Sequence, residues 1–336
     1  MLDRRSFLKS TVVVIGVTGF CAGDMSQAFA ADKRVALIMT GSIADGSWNQ
    51  FAHDGLMALK GLGGFEVAFA ENVTQAKISQ VVQGYADDGY DLIIGHGFEF
   101  GSAFIELAPQ YPDQKFFAST FKPSGDVPKN TRYIDLAYFD AAYAAGALAG
   151  LISTSGKSVG FVGGGDNPTQ QRMMKCFIAG AEAARPGLKA TGIITGDYDN
   201  AARGKEAAGT MAANGADVIW SGANVTGLGA IQGAVSSGAK VIGVYSDQSN
   251  LAPGKMATSV TLNLDWMVME VAKSVADQSF KGGEEWQPKV TEMWTLKSGT
   301  QGDHDPAVVD DATWATFAKL WHDLGERSID VAKLVP

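Results

Sequence analysis

Trp48-Asn49, Tyr198, Asn224 and Asp247 are residues whose types and positions suit recognition chemistry. Each stands near a short polar or glycine-rich stretch that follows an apolar run, where a strand would end. An indole and a phenol can hold a flat ring between them, a contact worth roughly 1–3 kcal/mol per stacked base. The amides of Asn49 and Asn224 and the carboxylate of Asp247 offer donors and acceptors to the rim of that ring. Trp48 also fits the apolar spacing of a following helix, so a core role is its plain alternative. Tyr198, in Gly196-Asp197-Tyr198-Asp199-Asn200, is harder to explain as core, because turns mostly face solvent. His96 and Phe98 belong to a second such loop, Gly95–Gly101, and Asp45 to the loop that leads into Trp48.

Signatures of catalysis are sparse by comparison. Gly156-Lys157-Ser158-Val159-Gly160 matches the nucleophile-elbow pattern, but Ser158 opens a strand where that motif needs a strand-to-helix turn. Gly95-His96-Gly97-Phe98-Glu99-Phe100-Gly101 is one residue longer than the dinucleotide fingerprint. The histidines His53, His96, His304 and His322 are scattered, and none forms a metal-binding pair at helical spacing. Asp303–Asp311 lacks the spacing, glycine and glutamate of a calcium loop and reads as a solvated acidic loop capping the last helix. No nucleophile–base pair emerges. The expectation is a binding protein without catalytic turnover, metal or cofactor.

Loops need elements to hold them. Arg34–Gly41 is a continuous apolar run ending in glycine, as a buried parallel strand should be. Ser47–Leu62 follows with helical spacing, then Phe65–Ala70 (strand), Gln75–Asp88 (helix), Asp91–Gly97 (strand), Ser102–Ala108 (helix) and Lys115–Thr120 (strand). The alternation restarts at Ser158–Gly164 and runs to Lys240–Ser246. Two such series predict two α/β lobes, each a doubly wound parallel sheet. Tyr133–Leu151, rich in Ala and Gly, joins them as a tightly packed helix, and its start is where a hinge is expected. The tail reads as helices over Asp265–Lys281 and Asp310–Val335 with a strand, Val290–Lys297, between them. Ligands of doubly wound sheets bind beyond the carboxyl ends of strands, which is where the candidate residues fall.

Composition narrows the class further. The 336 residues are 46% hydrophobic and carry a net charge of −9, with no basic cluster, so nucleic acid is excluded as a partner. Residues 1–30 read as an export leader: Arg4-Arg5 before Ser6-Phe7-Leu8-Lys9 is a twin-arginine pattern, Thr11–Phe20 is apolar, and Ala28-Phe29-Ala30 is a cleavage site. The apolar run is shorter than the roughly 18–20 residues of a membrane span. Lipidation at Cys21 is the alternative, opposed by bulky Phe20 before it. Cleavage leaves Cys176 alone, so no intramolecular disulfide forms, and the expected product is a soluble periplasmic monomer.

Asp45-Gly46-Ser47-Trp48-Asn49-Gln50 resembles the D-x-S-F-N-Q element of the basic membrane protein family, substrate-binding proteins of ABC transporters that include purine-nucleoside receptors. The resemblance continues through Asp91–Phe98, Tyr143–Gly150, Gly160–Gly165, Tyr198–Lys205, Gly215–Trp220, Thr226–Gly229 and Gly243–Gln248, nearly the whole mature chain in order. It implies a type I periplasmic binding fold whose two lobes are joined by three crossings. It also implies a purine between two aromatics and a membrane permease as partner. The lobes would comprise residues 31–138 with about 262–285, and 139–261 with about 286–336. The implied ligand residues are Trp48, Asn49, Asp45, His96, Phe98, Tyr198, Asn224 and Asp247. Four departures stand out: Met39, Tyr138, Tyr245 and Leu262 replace polar residues common in the nucleoside receptors. A ribose would leave hydroxyls against apolar groups, each unpaired group costing about 1–3 kcal/mol, so a base or similar flat heterocycle is expected. A sugar receptor of the same fold and a periplasmic α/β enzyme are the alternatives. The first would want more carboxylates and Arg/Asn forks around hydroxyls, and the second a base and nucleophile.

Overall fold

A computed structural model describes residues 32–46, 48–120 and 123–335. The expected leader, with Arg4-Arg5, Cys21 and Ala28–Ala30, lies outside the described residues. Among the described residues no helix is long and apolar enough to cross a membrane.

The first series is β1 (Lys33–Met39), α1 (Trp48–Leu62), β2 (Phe65–Ala70), α2 (Ile78–Asp87), β3 (Leu92–His96), α3 (Phe100–Leu107), β4 (Lys115–Ser119) and β5 (Thr131–Ile134). After α4 (Tyr138–Ile152) comes the second: β6 (Ser158–Gly163), α5 (Pro168–Ala184), β7 (Lys189–Ile194), α6 (Ala201–Ala213), β8 (Ala216–Gly222), α7 (Val225–Ser236), β9 (Lys240–Tyr245) and β10 (Met256–Leu262). The tail adds α8 (Leu264–Ala276), β11 (Glu285–Trp286), α9 (Val290–Met293), β12 (Trp294–Lys297), α10 (Asp311–Gly325) and α11 (Val331–Leu334).

These strands form two six-stranded sheets, ordered β11-β5-β4-β3-β1-β2 and β12-β10-β9-β8-β6-β7. Within each series the pairing is parallel, and the antiparallel β10–β12 pair closes the second sheet. Val35–Met39, all of β3 and all of β6 are buried, the burial expected of strands covered by helices on both faces. Strand order reverses between β1 and β3 in one sheet and between β6 and β8 in the other. Consecutive helices there leave on opposite faces, and a crevice opens at the strands' carboxyl ends.

The Ala/Gly-rich joining segment behaves as its composition predicts. Most of α4 is buried, and it packs backbone to backbone on α5. A Cβ on Gly146 would lie 1.9 Å from the Phe177 carbonyl oxygen, and one on Gly180 would lie 2.0 Å from that of Tyr143. Larger residues there would force the helices apart.

Three boundaries differ from the sequence reading. Thr131–Ile134, whose last two residues the sequence reads as the start of the joining segment, is the strand β5, because pairing with β4 and β11 outweighs its short length. Val290–Met293, read as strand, is a helical turn in which the Glu292 carboxylate accepts from the Lys289 N–H at 2.7 Å. Residues 310–335 form two helices, with Asp310 accepting from Thr313 N and Asp330 from Lys333 N at their starts.

Candidate functional site

A cavity of about 640 Å3 lies at the carboxyl ends of both sheets. Thr40, Gly41, Trp48 and Asn49 reach it from the loop after β1 and the start of α1; Gly97, Phe98 and Glu99 follow β3; Thr120 follows β4. From the second sheet come Asn167–Gln170 after β6, Tyr198 and Asp199 after β7, Asn224 after β8 and Tyr245 at the end of β9. Tyr138 and Met173 complete the lining from α4 and α5. The loops at both order-reversal points thus converge on one space.

Each of the two aromatics is supported from behind. Trp48 stacks on His96, with ring centroids 4.0 Å apart and planes at 19°. Tyr198 lies against the backbone of Gly164-Gly165, where a Cβ on either glycine would meet its ring at 2.3 and 2.5 Å. Asn167 Nδ2 donates to the Tyr198 hydroxyl at 2.7 Å and fixes the outer end of the ring. That Asn167 side chain also caps α5, accepting from Gln170 N. Gln170 in turn donates to the Gly222 carbonyl and accepts from Gly164 N, tying the three loops together.

Of the eight residues expected to touch ligand, Trp48, Asn49, Phe98, Tyr198 and Asn224 line the cavity. Asp45, His96 and Asp247 do not, and each has a different occupation. Asp45 Oδ2 accepts from the Asn49 backbone N–H at 2.9 Å and from Asn49 Nδ2 at 2.8 Å, while Oδ1 accepts from Gln50 N. It therefore caps α1 and orients the Asn49 amide. His96 is fully buried: Nε2 lies 3.0 Å from the Trp48 carbonyl and Nδ1 lies 3.1 Å from Ser119 Oγ. A carbonyl can only accept, so Nε2 carries the proton and Nδ1 accepts from the serine hydroxyl. Burial lowers the His96 pKa to about 4, against the Trp48 carbonyl and the Asp45 charge, which both favour the cation. The ring is neutral at ordinary pH.

Asp247, expected to read a ligand's polar edge, is engaged within the protein instead. Its oxygens accept from Ser249 N at 3.0 Å and Gly299 N at 2.8 Å, and it lies outside the lining. These hydrogen bonds hold its carboxyl below the usual range against partial desolvation. Leu262 and Met39 are buried and also outside the lining, whereas Tyr138 and Tyr245 are part of it.

The structure adds residues that the sequence reading did not single out. Glu99 brings a carboxylate to the cavity, and burial raises its pKa. Asp199 does the same at the opposite lobe; burial, then the charges of Asp197 and Asp45, raise its pKa, and the Asn224 side chain donates to it. Each lobe thus pairs an aspartate with an asparagine of the lining: Asp45 with Asn49, and Asp199 with Asn224. Backbone strain also gathers here. Thr120 (φ 62°) and Tyr245 (φ 66°) line the cavity and Ala137 (φ 53°) precedes Tyr138, all in the left-handed region. A non-glycine pattern gives no sequence signal for that strain.

Comparison with known proteins is consistent across family, relatives and fold. A family model, Bmp, described as PnrA-like ABC transporter substrate-binding protein, matches residues 32–294. Basic membrane protein A of Borreliella burgdorferi (strain ATCC 35210 / DSM 4680 / CIP 102532 / B31) is 29% identical over 268 residues, 79% of this chain and 78% of the relative. A solute-binding protein of an ABC transporter system from Aeropyrum pernix K1 superimposes with a TM-score of 0.75 at 20% identity, covering 89% of this chain and 92% of the other. Another, from Conexibacter woesei DSM 14684, does so at 0.70 and 24% identity, covering 89% and 98%.

Proposed function

Because the chain belongs to the Bmp family of PnrA-like ABC transporter substrate-binding proteins, we propose that it is exported and captures a purine-type base or related flat nitrogen heterocycle. The ligand is held between Trp48 and Tyr198 as the two lobes close, and is then passed to a membrane permease. One observation carries the ligand class: an aromatic from each lobe lines the same cavity, each with its other face already supported by packing. A flat ring entering that space gains two stacking partners whose orientation is fixed in advance. Closure then follows from ligand contacts that only the closed state completes.

Tyr138 and Tyr245 favour a base over an intact nucleoside. Both rings line the cavity, and a phenol is neutral at ordinary pH, so neither offers the charged acceptor that ribose hydroxyls pair with well. Titration calorimetry with adenine, guanine, hypoxanthine, xanthine and their nucleosides tests the reading. At least one base should bind, and more tightly than its nucleoside. Nucleosides binding tighter than every base would overturn the base preference. A monosaccharide binding where every purine fails would overturn the ligand class.

A further inference from the structure

The chain passes between the two sheets three times: from β5 through α4 to β6, from β10 through α8 to β11, and from β11 through α9 to β12. Because α4 packs on α5 and α8 on α1, the first two changes of side fall just before those helices, at Leu136-Ala137 and Leu262-Asn263. Trp294 touches all three passages. As the first residue of β12 it ends the third, and it pairs with Leu262 where the second begins. Its indole Nε1 donates to the Leu136 carbonyl, on the first, at 2.6 Å.

The same indole bears two rings of the cavity. It meets Tyr138 edge to face, with centroids 5.6 Å apart and planes at 64°, and Tyr245 at 6.1 Å and 30°. Both separations lie in the range of attractive aromatic pairs. Trp294 is fully buried and lies outside the lining, so it stands behind both tyrosines. The backbone it holds is a strained one. Ala137, between Leu136 and Tyr138, is left-handed, and its N–H donates to Asp135 Oδ1 at 2.9 Å. Asp135 N in turn donates to the Trp286 carbonyl at 2.9 Å, which ties the first passage to the start of the third. Non-glycine residues keep such a conformation only where their surroundings impose it.

We propose that Trp294 is a positioning residue that couples the cavity wall to the passages between the sheets. Hinges are residues at the ends of elements that absorb a change in φ and ψ. Ala137 is such a residue, and Trp294 holds the carbonyl before it while leaning on the rings that a ligand would press. A ligand seated against Tyr138 and Tyr245 fixes the indole, and the indole fixes the angle at which α4 leaves β5. The coupling is reciprocal, so a disturbance at either end should be felt at the other. This rests on the reading that the lobes close on a ligand, and not on that ligand's being a purine.

Double electron–electron resonance between spin labels at Lys60→Cys and Glu206→Cys, exposed positions on α1 and α6, reads the distance between the lobes. Cys176 is buried and is left in place. Without ligand, Trp294→Phe, which keeps a ring behind the tyrosines but loses the N–H, should broaden or shift the distance distribution. Tyr138→Leu, which alters the cavity end, should do the same. Trp220→Phe should not: Trp220 is as buried, but its Nε1 makes no hydrogen bond and its ring packs on Phe161 and Phe177 in the core of the second lobe. With adenine, guanine, hypoxanthine and xanthine as probes, Trp294→Phe should weaken the tightest binder about tenfold, as the fraction of protein held in the competent geometry falls to about a tenth. A distribution unchanged in Trp294→Phe or in Tyr138→Leu overturns the inference, and so does an equal change in Trp220→Phe. An unchanged affinity in Trp294→Phe beside an altered distribution overturns the link to the cavity. If none of the four binds the wild type, the proposed ligand falls, while the ligand-free distances still decide this inference. Should Trp294→Phe fail to fold, β-(3-benzothienyl)alanine at position 294 keeps the fused ring and removes only the N–H.

Discussion

The indole of Trp48 lies on the imidazole of His96 with centroids 4.0 Å apart, and the same imidazole donates from Nε2 to the Trp48 backbone carbonyl. One buried ring therefore fixes both the side chain and the main chain of the residue proposed to stack on ligand. The hold extends further, because Ser119 Oγ, next to His96 Nδ1, accepts from Gly97 N at 3.0 Å. The starts or ends of α1, β3 and β4 are joined through that single histidine.

His96 is accordingly expected to act as a positioning residue. His96→Leu keeps the ring's approximate volume of packing but removes both hydrogen bonds and the stack. Ligand affinity should fall by about 0.5–1.5 kcal/mol, the worth of an aromatic pair beyond its buried area. Tryptophan fluorescence anisotropy should show a looser Trp48 in a variant with its other tryptophans replaced by phenylalanine. Unchanged affinity together with unchanged anisotropy would remove the role.

A pH dependence follows from the same group. The His96 pKa is about 4 in the folded chain and near 6.5 unfolded, so the unfolded chain takes up the proton first as pH falls. The stability that rests on the neutral ring is complete above pH ~6.5 and is lost as pH drops toward ~4, up to about 3 kcal/mol. Asp140, whose carboxyl burial raises to about 6, contributes with the opposite sign over an overlapping range. The difference between wild type and His96→Leu in urea melts from pH 7 to pH 4 isolates the histidine. A difference that stays constant across that range would refute the assignment.

Tyr198 and the glycines behind it make a paired prediction. Tyr198→Ala should weaken ligand binding by roughly 1–3 kcal/mol. Gly165→Ala sets a Cβ 2.5 Å from the Tyr198 ring and should push the ring into the cavity, costing affinity with the tyrosine still present. In the double variant the glycine change should cost little, since its target is gone. Additive losses in calorimetry would mean that the glycine acts by another route.

Asp247→Ala should leave affinity unchanged within error. Its carboxylate serves Ser249 N and Gly299 N, joining the turn after β9 to the segment after β12. At this exposed site the loss should be about 1 kcal/mol of stability or less. Thermal melts beside calorimetry separate the two effects, and a clear drop in affinity would restore Asp247 to the ligand site.

Much of this was legible one residue at a time. Continuous apolar runs such as Val35–Met39 mark buried parallel strands because both faces are covered, and their glycine or polar ends mark where loops begin. Trp48, Asn49, Phe98, Tyr198 and Asn224 could be picked out for the same reason, as unusual types at those ends. β5 escaped notice because a four-residue strand owes its existence to its neighbours in the sheet, and α9 because Val290 and Thr291 carry a strand's composition.

What the sequence by itself determined was the alternation of strands and helices, the doubling of that series, and the loops in which chemistry could reside. These depend on local periodicity and composition, which neighbouring residues carry. Only the tertiary structure decided which loop residues face the cavity and which stand behind it. Asp45, His96 and Asp247 are as polar as Asn49 and lie at or just beyond the carboxyl ends of strands, yet each is consumed by hydrogen bonds within the protein. Glu99, inconspicuous in the sequence, is left with its carboxylate nearly unclaimed. A side chain's freedom to bind is set by what the folded chain leaves unsatisfied: Asp45 is engaged by neighbours four and five residues on, whereas His96 and Asp247 find partners in segments tens of residues away.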